Sequence, residues 1–198
     1  MRPLSSDFYM QDAQSVARQL LGKLVARQIE GQQLILRITE TEAYLGADDP
    51  ACHSYKNRRT SRTEVMFGPG GYSYIYFIYG MYYMLNAVTG EEGDPCAVLI
   101  RAGQPVSGLD TLCRNRFGKP WGELNPSQRR TLSDGPGKLC KALNLTREQN
   151  GLDLTQSKLI ICEGEAGGDF RIECGPRIGV DYAGDAASWP LNFRLRDV

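Results

Sequence analysis

The sequence predicts a mixed α/β domain with a protruding β-hairpin, and its alternating and helical patterns support this. A segment of helical spacing follows Asp12, two alternating segments meet at Glu30-Gly31, and another alternating segment begins at Tyr72. The chain has 198 residues, which suits one domain and would just accommodate two small ones. Because no repeat, low-complexity tract or linker divides the sequence, we expect a single domain over residues 1–198.

The first predicted elements are a helix and a pair of strands. Asp12 is the expected N-cap, and Gly22 is the expected end of the helix. Its apolar residues at helical spacing are Ala13, Val16, Ala17, Leu20 and Leu21. Strands are predicted over residues 23–29 and 33–39. In the second strand the residues expected on one side are Leu34, Leu36, Ile38, Glu40 and Glu42. Two carboxylates are thus expected to continue a face that begins as hydrophobic core.

The tyrosine-rich segment that follows predicts the hairpin. From Tyr72 to Phe77 the tyrosines alternate with smaller or apolar residues, which is typical of a strand. Gly80 offers a turn, and a second apolar run ends at Asn86. Aromatic residues commonly fill strands and cores. That explanation does not account for Tyr79, whose ring would lie beside the turn glycine at the hairpin tip.

The remaining segments predict one long loop and several short elements. Residues 48–71 are polar and rich in glycine, proline and arginine, so we expect a long surface loop with room for one helical turn. A short buried strand is predicted over residues 97–102. We also predict helices over 108–116 and 138–143, strands over 158–161, 170–173 and 189–195, and a loop over 175–180.

Composition and charge limit the function classes. The 23 basic and 23 acidic residues balance, which counts against a strongly electrostatic nucleic-acid binder but leaves room for a local basic patch. No apolar run approaches the ~20 residues needed to cross a bilayer, and no signal segment is apparent. We expect a cytoplasmic protein, or a nuclear one if the source has a nucleus. The six scattered cysteines and single histidine disfavour a metal site and predict reduced thiols.

Several common catalytic motifs are absent. The sequence has no Gly-x-Ser-x-Gly elbow and no Gly-x-Gly-x-x-Gly opening a helix after a strand. Residues 135–138 resemble half a phosphate loop, but Leu132 and Leu139 replace its first glycine and its hydroxyl residue. Serine hydrolase, nucleotide-triphosphate and dinucleotide chemistry are therefore disfavoured.

The features left are charged and aromatic. They are Glu40 with Glu42, Tyr44 with His53, the tyrosine hairpin, Arg101, and a cationic loop over residues 56–62. The loop contains Lys56, Arg58, Arg59 and Arg62 and no acid. A charge run is usually a solvated surface. Here it lies between an acidic strand end and an aromatic hairpin, and cations with exposed aromatics suit phosphate binding and base stacking.

A set of motifs occurs in order along nearly the whole chain. They are Ile-Thr-Glu-Thr-Glu-Ala-Tyr-Leu-Gly (38–46), Ala-Cys-His-Ser (51–54), Met-Phe-Gly-Pro-Gly (66–70), Tyr-Phe-Ile-Tyr-Gly-Met-Tyr (76–82) with Asn86, Val-Leu-Ile-Arg-Ala (98–102), Gly-Pro-Gly-Lys-Leu-Cys-Lys-Ala-Leu (135–143) and Pro-Arg-Ile-Gly-Val (176–180). This combination resembles the alkyladenine (3-methyladenine) DNA glycosylase family. Residues 184–188 carry no motif that we recognise.

The resemblance implies an activity and a fold. It implies a monofunctional repair enzyme that hydrolyses the N-glycosidic bond of 3-methyladenine, 7-methylguanine, hypoxanthine or ethenoadenine in double-stranded DNA and leaves an abasic site. It also implies a single α/β domain around a curved, mainly antiparallel sheet with flanking helices. No metal or organic cofactor is expected, and we expect a monomer that does not contact membranes.

The resemblance also implies roles for individual residues. Glu42 matches the catalytic base that would deprotonate a water aimed at the sugar C1′. Arg101 matches the cation that would keep it ionised or hold the catalytic water or a phosphate. Tyr44, His53 and Tyr76 match the residues that sandwich the flipped base, where aromatic faces attract cationic purines. Asn86 matches a residue that excludes the 2-amino group of guanine.

The DNA-contacting residues form a second group. Tyr79 matches the wedge that fills the gap left by the flipped base. The expected backbone contacts are Lys56, Arg58, Arg59, Arg62 and Lys138, the last at a helix start that would meet a phosphate. No lysine occupies a recognisable nucleophile position, so we predict no strand cleavage.

Alternatives from other classes remain open. Glu40 and Glu42 could be the paired carboxylates of a sugar hydrolase, but neighbours at i and i+2 project side by side rather than flanking a bond. We therefore assign Glu40 a supporting role. A non-catalytic damage-binding module would keep the tyrosines and the basic loop without needing Glu42. A hydrolase of free nucleosides would not need Tyr79.

Overall fold

The strands of the chain assemble into one curled, entirely antiparallel sheet. The computed structural model describes residues 1–164 and 170–197, and within these residues the sheet has eight strands in a half-barrel. They are β1 (Leu24–Ile29), β2 (Gln32–Tyr44), β3 (Ser73–Ile78), β4 (Tyr82–Thr89), β5 (Cys96–Ser107), β6 (Leu159–Cys162), β7 (Phe170–Gly175) and β8 (Asn192–Asp197). Their order is β3-β4-β5-β2-β1-β6, with β8 paired to β2 and β7 to β8. The predicted α/β fold around an antiparallel sheet is confirmed.

Helices flank the sheet and enclose the main core against one face. They are α1 (Ser6–Tyr9), α2 (Ala13–Leu20), α3 (Leu109–Phe117), α4 (Pro126–Arg130) and α5 (Pro136–Ala142). Asp12 caps α2 as predicted, since its side chain accepts from the N–H of Ser15. The buried apolar residues of α2, α3 and α5 pack on β2, β4 and β5. None of the helices in the described part of the chain has the length and apolar character that crossing a bilayer requires.

Side chains of β2 alternate between the two faces of the sheet, and this alternation is interrupted once. The interruption decides on which face Glu40 and Glu42 lie. Ile38 faces the core, and so does Thr41, which is fully buried and donates its hydroxyl to the carbonyl of Ala17 at 2.8 Å. Pairing with β5 is irregular between Ile38 and Thr41, where the other edge of β2 changes partner from β1 to β8. Glu40 and Glu42 therefore lie on the opposite face of the sheet. Our prediction that they continue the core face was wrong, because a strict period of two cannot anticipate this irregularity.

The tyrosine-rich segment forms the predicted hairpin. Ile78, the last residue of β3, pairs with Tyr82, the first residue of β4. The Met81 N–H donates to the Ile78 carbonyl. Between them, Tyr79 and Gly80 have φ of +55° and +68°. Turns with positive φ at successive positions match the twist of a hairpin, but they strain any residue other than glycine. Tyr79 is 75% exposed at this tip, so its ring does not serve the core.

The segment over residues 48–71 differs from the predicted surface loop. Short 3₁₀ turns occur at Gly46–Asp48, Tyr55–Asn57 and Glu64–Phe67. Its inward side chains, including Cys52, Ser54 and Met66, are buried, and the Ser54 hydroxyl donates to the carbonyl of Pro95 at 2.8 Å. Small polar residues of this segment bond locally or to backbone, and they are therefore compatible with burial. The segment forms one wall of a cavity.

Other boundaries differ by a few residues. Strand β5 extends to Ser107, and helix α5 begins at Pro136 because proline suits the first helical turn. The final strand begins at Asn192, after a 3₁₀ segment over Asp181–Ser188 that the sequence did not reveal. All six cysteines lie among the described residues and are free thiols, as predicted.

Candidate active site

A cavity of about 280 Å³ lies on the face of the sheet opposite the main core. This volume is close to the lower end of small-molecule pockets, ~300 Å³. Strands β2 to β5 form its floor, and the segment over residues 178–182 covers one side. Its lining is largely aromatic and apolar and includes Tyr44, His53, Tyr74, Tyr76, Asn86, Leu99, Arg101, Ile178 and Tyr182.

Three predicted base-pocket residues reach this cavity from separate segments. Tyr44 ends β2, His53 lies in the folded loop, and Tyr76 lies in β3. The His53 and Tyr76 rings meet edge to face at 4.6 Å between centroids and 78°. Tyr74 adds a ring 5.4 Å from that of Tyr76. The result is a set of aromatic walls around a space open to the surface.

His53 is held as the neutral imidazole. Its Nε2 lies 3.2 Å from an Arg62 guanidinium nitrogen, which can only donate, so Nε2 accepts. The proton is therefore on Nδ1 and is donated to the Tyr74 hydroxyl at 2.9 Å. Burial, then the charges of Arg62 and Arg58, lowers the pKa of His53 to about 4. His53 thus brings no positive charge to the cavity at neutral pH.

Glu42 is fully buried and is held entirely by donors. Its Oε1 accepts from the N–H of Ile178 at 2.8 Å and from Asn192 Nδ2 at 3.1 Å. Its Oε2 accepts from the Tyr44 hydroxyl at 2.9 Å and lies 3.2 Å from Arg101 Nη1. Both carboxylate oxygens of Glu42 therefore act only as hydrogen-bond acceptors in this arrangement.

The Glu42 carboxylate lies beneath the cavity rather than in its wall. Tyr44, Arg101 and Ile178 line the cavity, whereas Glu42 is absent from the lining that the described residues form. Each of these three residues also contacts the Glu42 carboxylate. We expected a carboxylate that meets water directly, and this geometry differs from that expectation. A water can reach Glu42 from the cavity only where one of the covering groups shifts.

Glu40 joins the same charged network at its outer side. Its Oε1 accepts from Arg101 Nε and Arg194 Nε, both at 3.1 Å, and from Asn192 Nδ2 at 2.8 Å. Arg101 therefore bridges the two carboxylates, and its side chain is only 11% exposed. Glu40 fixes the guanidinium that contacts Glu42. This geometry is consistent with the supporting role that we assigned to Glu40.

Asn86 and Tyr79 border the cavity at opposite depths. Asn86 is buried on β4, where its Nδ2 donates to the carbonyl of Tyr74 at 3.0 Å, and it lines the floor. Tyr79 lines the mouth, and Tyr182, on the segment across the sheet, is also exposed. Together they form an exposed aromatic rim. Exposed apolar rims of this kind are typical of interaction surfaces.

The predicted phosphate contacts are less free than their sequence suggests. Arg59 makes two hydrogen bonds to Glu64, at 2.6 and 3.0 Å, and Lys138 pairs with Asp134 at 2.8 Å. The sequence has no acidic residue between 56 and 62, but Glu64 follows shortly after. The 3₁₀ turn at Glu64 places its carboxylate against Arg59. Such exposed pairs contribute little to stability and can be exchanged for phosphate contacts.

The other basic residues have different surroundings. Lys56 lies over the ring of Tyr55 at 5.2 Å. Arg62 covers the Tyr76 ring at 4.9 Å. Arg58 and Arg62 border a second cavity, of about 300 Å³, next to the aromatic one. The structure therefore places two of the predicted phosphate contacts beside the aromatic cavity.

One pair near the cavity was missed in the sequence. Arg177 and Asp49 form an ion pair with both side chains fully buried. The Arg177 guanidinium lies 4.8 Å from the centroid of the Tyr44 ring. Arg177 lies within the motif of residues 176–180, but its partner is 128 residues away. Their sequence separation gives no local signal of the pairing.

Comparison with known proteins identifies the family. The family model described as methylpurine-DNA glycosylase (MPG) matches residues 7–198. Three bacterial relatives bear the provisional name 3-methyladenine DNA glycosylase. The protein of Desulfitobacterium hafniense is 48% identical over 197 residues, covering 100% of this chain and 97% of the relative. The Alkaliphilus oremlandii protein is 44% identical and covers 98% and 96%. The Clostridium novyi protein is 43% identical and covers 100% and 96%.

These matches extend over nearly the full length of both partners, and they agree with the fold and with the aromatic cavity above the buried carboxylate. The chain therefore belongs to the methylpurine-DNA glycosylase family and is a monofunctional DNA-repair hydrolase of N-glycosyl bonds.

Proposed function

We propose that this enzyme flips 3-methyladenine, 7-methylguanine, hypoxanthine and ethenoadenine out of duplex DNA and hydrolyses their N-glycosidic bonds with a water activated by Glu42. The observation that carries the proposal is a buried glutamate side chain directly beneath a cavity with aromatic walls, with Tyr79 exposed at its mouth. The product is an abasic site in an intact strand. We also propose that it acts as a monomer.

Flipping is required because the sugar carbon of a base-paired nucleotide is not accessible to water and a general base. Tyr79 is 75% exposed and has the size of a wedge that can replace the extruded base in the stack. Its φ of +55° costs about 1–2 kcal/mol relative to an ordinary conformation. A strained exposed aromatic ring at a hairpin tip supports a role outside the protein's own packing.

Binding of the flipped base relies on the aromatic walls. Alkylated purines such as 7-methylguanine are cationic, and the faces of Tyr44 and Tyr76 attract cations. His53 is neutral and does not repel such a base. Hypoxanthine and ethenoadenine lack this charge and are selected by shape and hydrogen bonds. Asn86 on the floor excludes guanine by a steric clash with its 2-amino group.

Hydrolysis follows from the charge of Glu42. The oxygen of a water attacks C1′, the bond from C1′ to the base breaks, and its electron pair leaves with the base. The water proton passes to Glu42, whose negative charge also stabilises the oxocarbenium-like sugar. Because donors surround Glu42, the water takes the place of the Tyr44 hydroxyl as donor to Oε2. Arg101 keeps its contact with Oε2 and positions the water.

Release of bases from a panel of oligonucleotides tests the proposal. Duplexes carrying each of the four lesions, the matching undamaged duplex and the free nucleosides are incubated with the enzyme, and released base is quantified. We expect release from all four lesion duplexes, little from undamaged guanine, and no strand break before alkali is added.

Other outcomes would overturn the proposal. Tight binding of lesion DNA without release of any of the four bases would contradict the assigned substrate range and chemistry. Equal rates on free nucleosides and on duplexes would contradict flipping by Tyr79.

A further inference from the structure

The buried pair of Asp49 and Arg177 lies directly behind the Tyr44 wall of the cavity. Arg177 Nη2 donates to Asp49 Oδ1 at 2.9 Å, and Nη1 donates to Oδ2. Asp49 also accepts from the N–H groups of Leu45 and Ala51, both at 3.0 Å. The ion pair is thus bidentate and fully buried, and the negative charge of Asp49 directly compensates the positive charge of Arg177.

The guanidinium covers one face of the Tyr44 ring. Arg177 Cζ lies 4.8 Å from the ring centroid. Tyr44 lines the cavity, whereas Arg177 is absent from the lining formed by the described residues. The cavity therefore meets the ring from the side away from Arg177. A base stacked on Tyr44 would have an arginine on the far side of the same ring.

This placement has an electrostatic consequence for a cationic base. An arginine without a counter-ion would repel a cationic purine through the ring and weaken the negative face that attracts it. Asp49 removes this net charge. Burial lowers the pKa of Arg177, but the hydrogen bonds and charge of Asp49 outweigh this effect, so the arginine remains charged.

We propose that Asp49 sets the balance between cationic and neutral lesions by neutralising Arg177 behind the Tyr44 ring. Asp49 is then a specificity-determining residue that acts through two neighbours and does not touch the base. The proposal rests on the proposed stacking of the flipped base on Tyr44. A purely structural ion pair would affect cationic and neutral lesions equally.

The substitution Asp49→Asn isolates the charge. It keeps the size of the side chain and leaves Arg177 uncompensated about 8 Å from a base in van der Waals contact with the ring. The substitution removes the attraction between Asp49 and the base; at about 12 Å, one ion-pair length beyond Arg177, and an effective dielectric constant of about 20, this changes an equilibrium about 10-fold. We expect kcat/KM for 7-methylguanine relative to hypoxanthine, both in duplex oligonucleotides, to fall by about this factor.

A series of variants gives the sign of the effect. Arg177→Gln leaves Asp49 as an uncompensated anion and should raise the same ratio. The double variant with Asp49→Asn and Arg177→Gln carries no charge here and should restore the wild-type ratio. Asp48→Asn makes the same chemical change at the adjacent exposed residue and should leave the ratio unchanged. If one single variant does not fold, as judged by circular dichroism, the other still tests the sign.

The outcomes separate this inference from the proposed function. If wild-type enzyme releases neither base, the proposed function fails. If wild-type enzyme releases both, and the folded single variants lose activity on both lesions equally, the ion pair is only structural and this inference alone is overturned. A ratio that falls with Asp49→Asn and rises with Arg177→Gln supports it.

Discussion

We expect His53 to take up a proton at a much lower pH than an ordinary histidine does, because of its surroundings in the cavity wall. The pKa of His53 is about 4 in the folded chain, against 6.5 for an unperturbed histidine. Between these pH values the unfolded chain binds a proton that the folded chain does not. Stability is therefore greatest above pH 6.5 and falls as the pH drops towards 4, by about 3 kcal/mol in total. About 2 kcal/mol of this loss should occur by pH 5.

The physical cause is local. Protonation would place a proton on Nε2, which now accepts from Arg62, so a donor would face a donor 3.2 Å away. It would also add a charge to a partly buried ring that already lies near Arg62 and Arg58. The depressed pKa therefore depends on the same contacts that hold the imidazole at the cavity wall.

The chain has a single histidine, so the measurement is direct. One imidazole signal should titrate with a pKa about 4 in NMR spectra. In parallel, urea unfolding of wild-type protein and of His53→Gln should give stabilities that converge as the pH falls from 7.5 to 5, because only the wild type loses the histidine contribution. The dependence of stability on pH that remains in His53→Gln comes from the other titrating groups. A His53 pKa near 6.5, or parallel stability curves, would refute this reasoning.

The remaining predictions concern the DNA. Tyr79→Ala should lower excision from duplexes at least tenfold, because unstacking a base costs a few kcal/mol, with a smaller loss on single strands; equal losses would exclude a wedge. Asn86→Ala should raise removal of undamaged guanine relative to hypoxanthine about tenfold, since one steric group contributes ~1–3 kcal/mol; an unchanged ratio would contradict steric exclusion. Lys138→Gln should reduce the slope of log K for DNA binding against log salt concentration by about one, because one phosphate contact is lost. An unchanged slope would show that Lys138 stays paired with Asp134 and does not contact DNA.

The hairpin could be anticipated because its signals are local. Alternation over residues 72–77 and a glycine after Tyr79 describe a strand and a turn without reference to the rest of the chain. The hairpin needs only the chain's own period and turn chemistry. The expected pocket position of Tyr44 and His53 came instead from the resemblance to the glycosylase family, and both residues line one cavity.

The placement of the carboxylates could not be anticipated, because it depends on distant strands. The face of Glu42 is decided by the irregular pairing between Ile38 and Thr41, where β2 exchanges β1 for β8. Its burial depends on Ile178 and Asn192, which are 136 and 150 residues away. Local alternation contains no information about partners that arrive from the other end of the chain.

Charge pairing shows the same limit. The cationic run over residues 56–62 has no acid within it, yet a 3₁₀ turn places Glu64 on Arg59. The ion pair joins Asp49, which lies between two motifs, to Arg177 in the motif of residues 176–180, and the two are 128 residues apart. A sequence shows which charges exist, but the fold decides which of them are left to meet DNA.

Single-turnover excision by Glu42→Gln, measured together with its affinity for lesion DNA, tests the catalytic role most directly. The glutamine oxygen can keep the bonds from Ile178 and Asn192, and the Tyr44 hydroxyl can turn to accept from the amide. We expect excision of hypoxanthine to fall by at least ~100-fold, the lower range for a general base, while the Kd for lesion DNA stays within a few-fold. The matched variant Glu40→Gln should lose less activity. Excision by Glu42→Gln at a near-normal rate would contradict activation of water by Glu42.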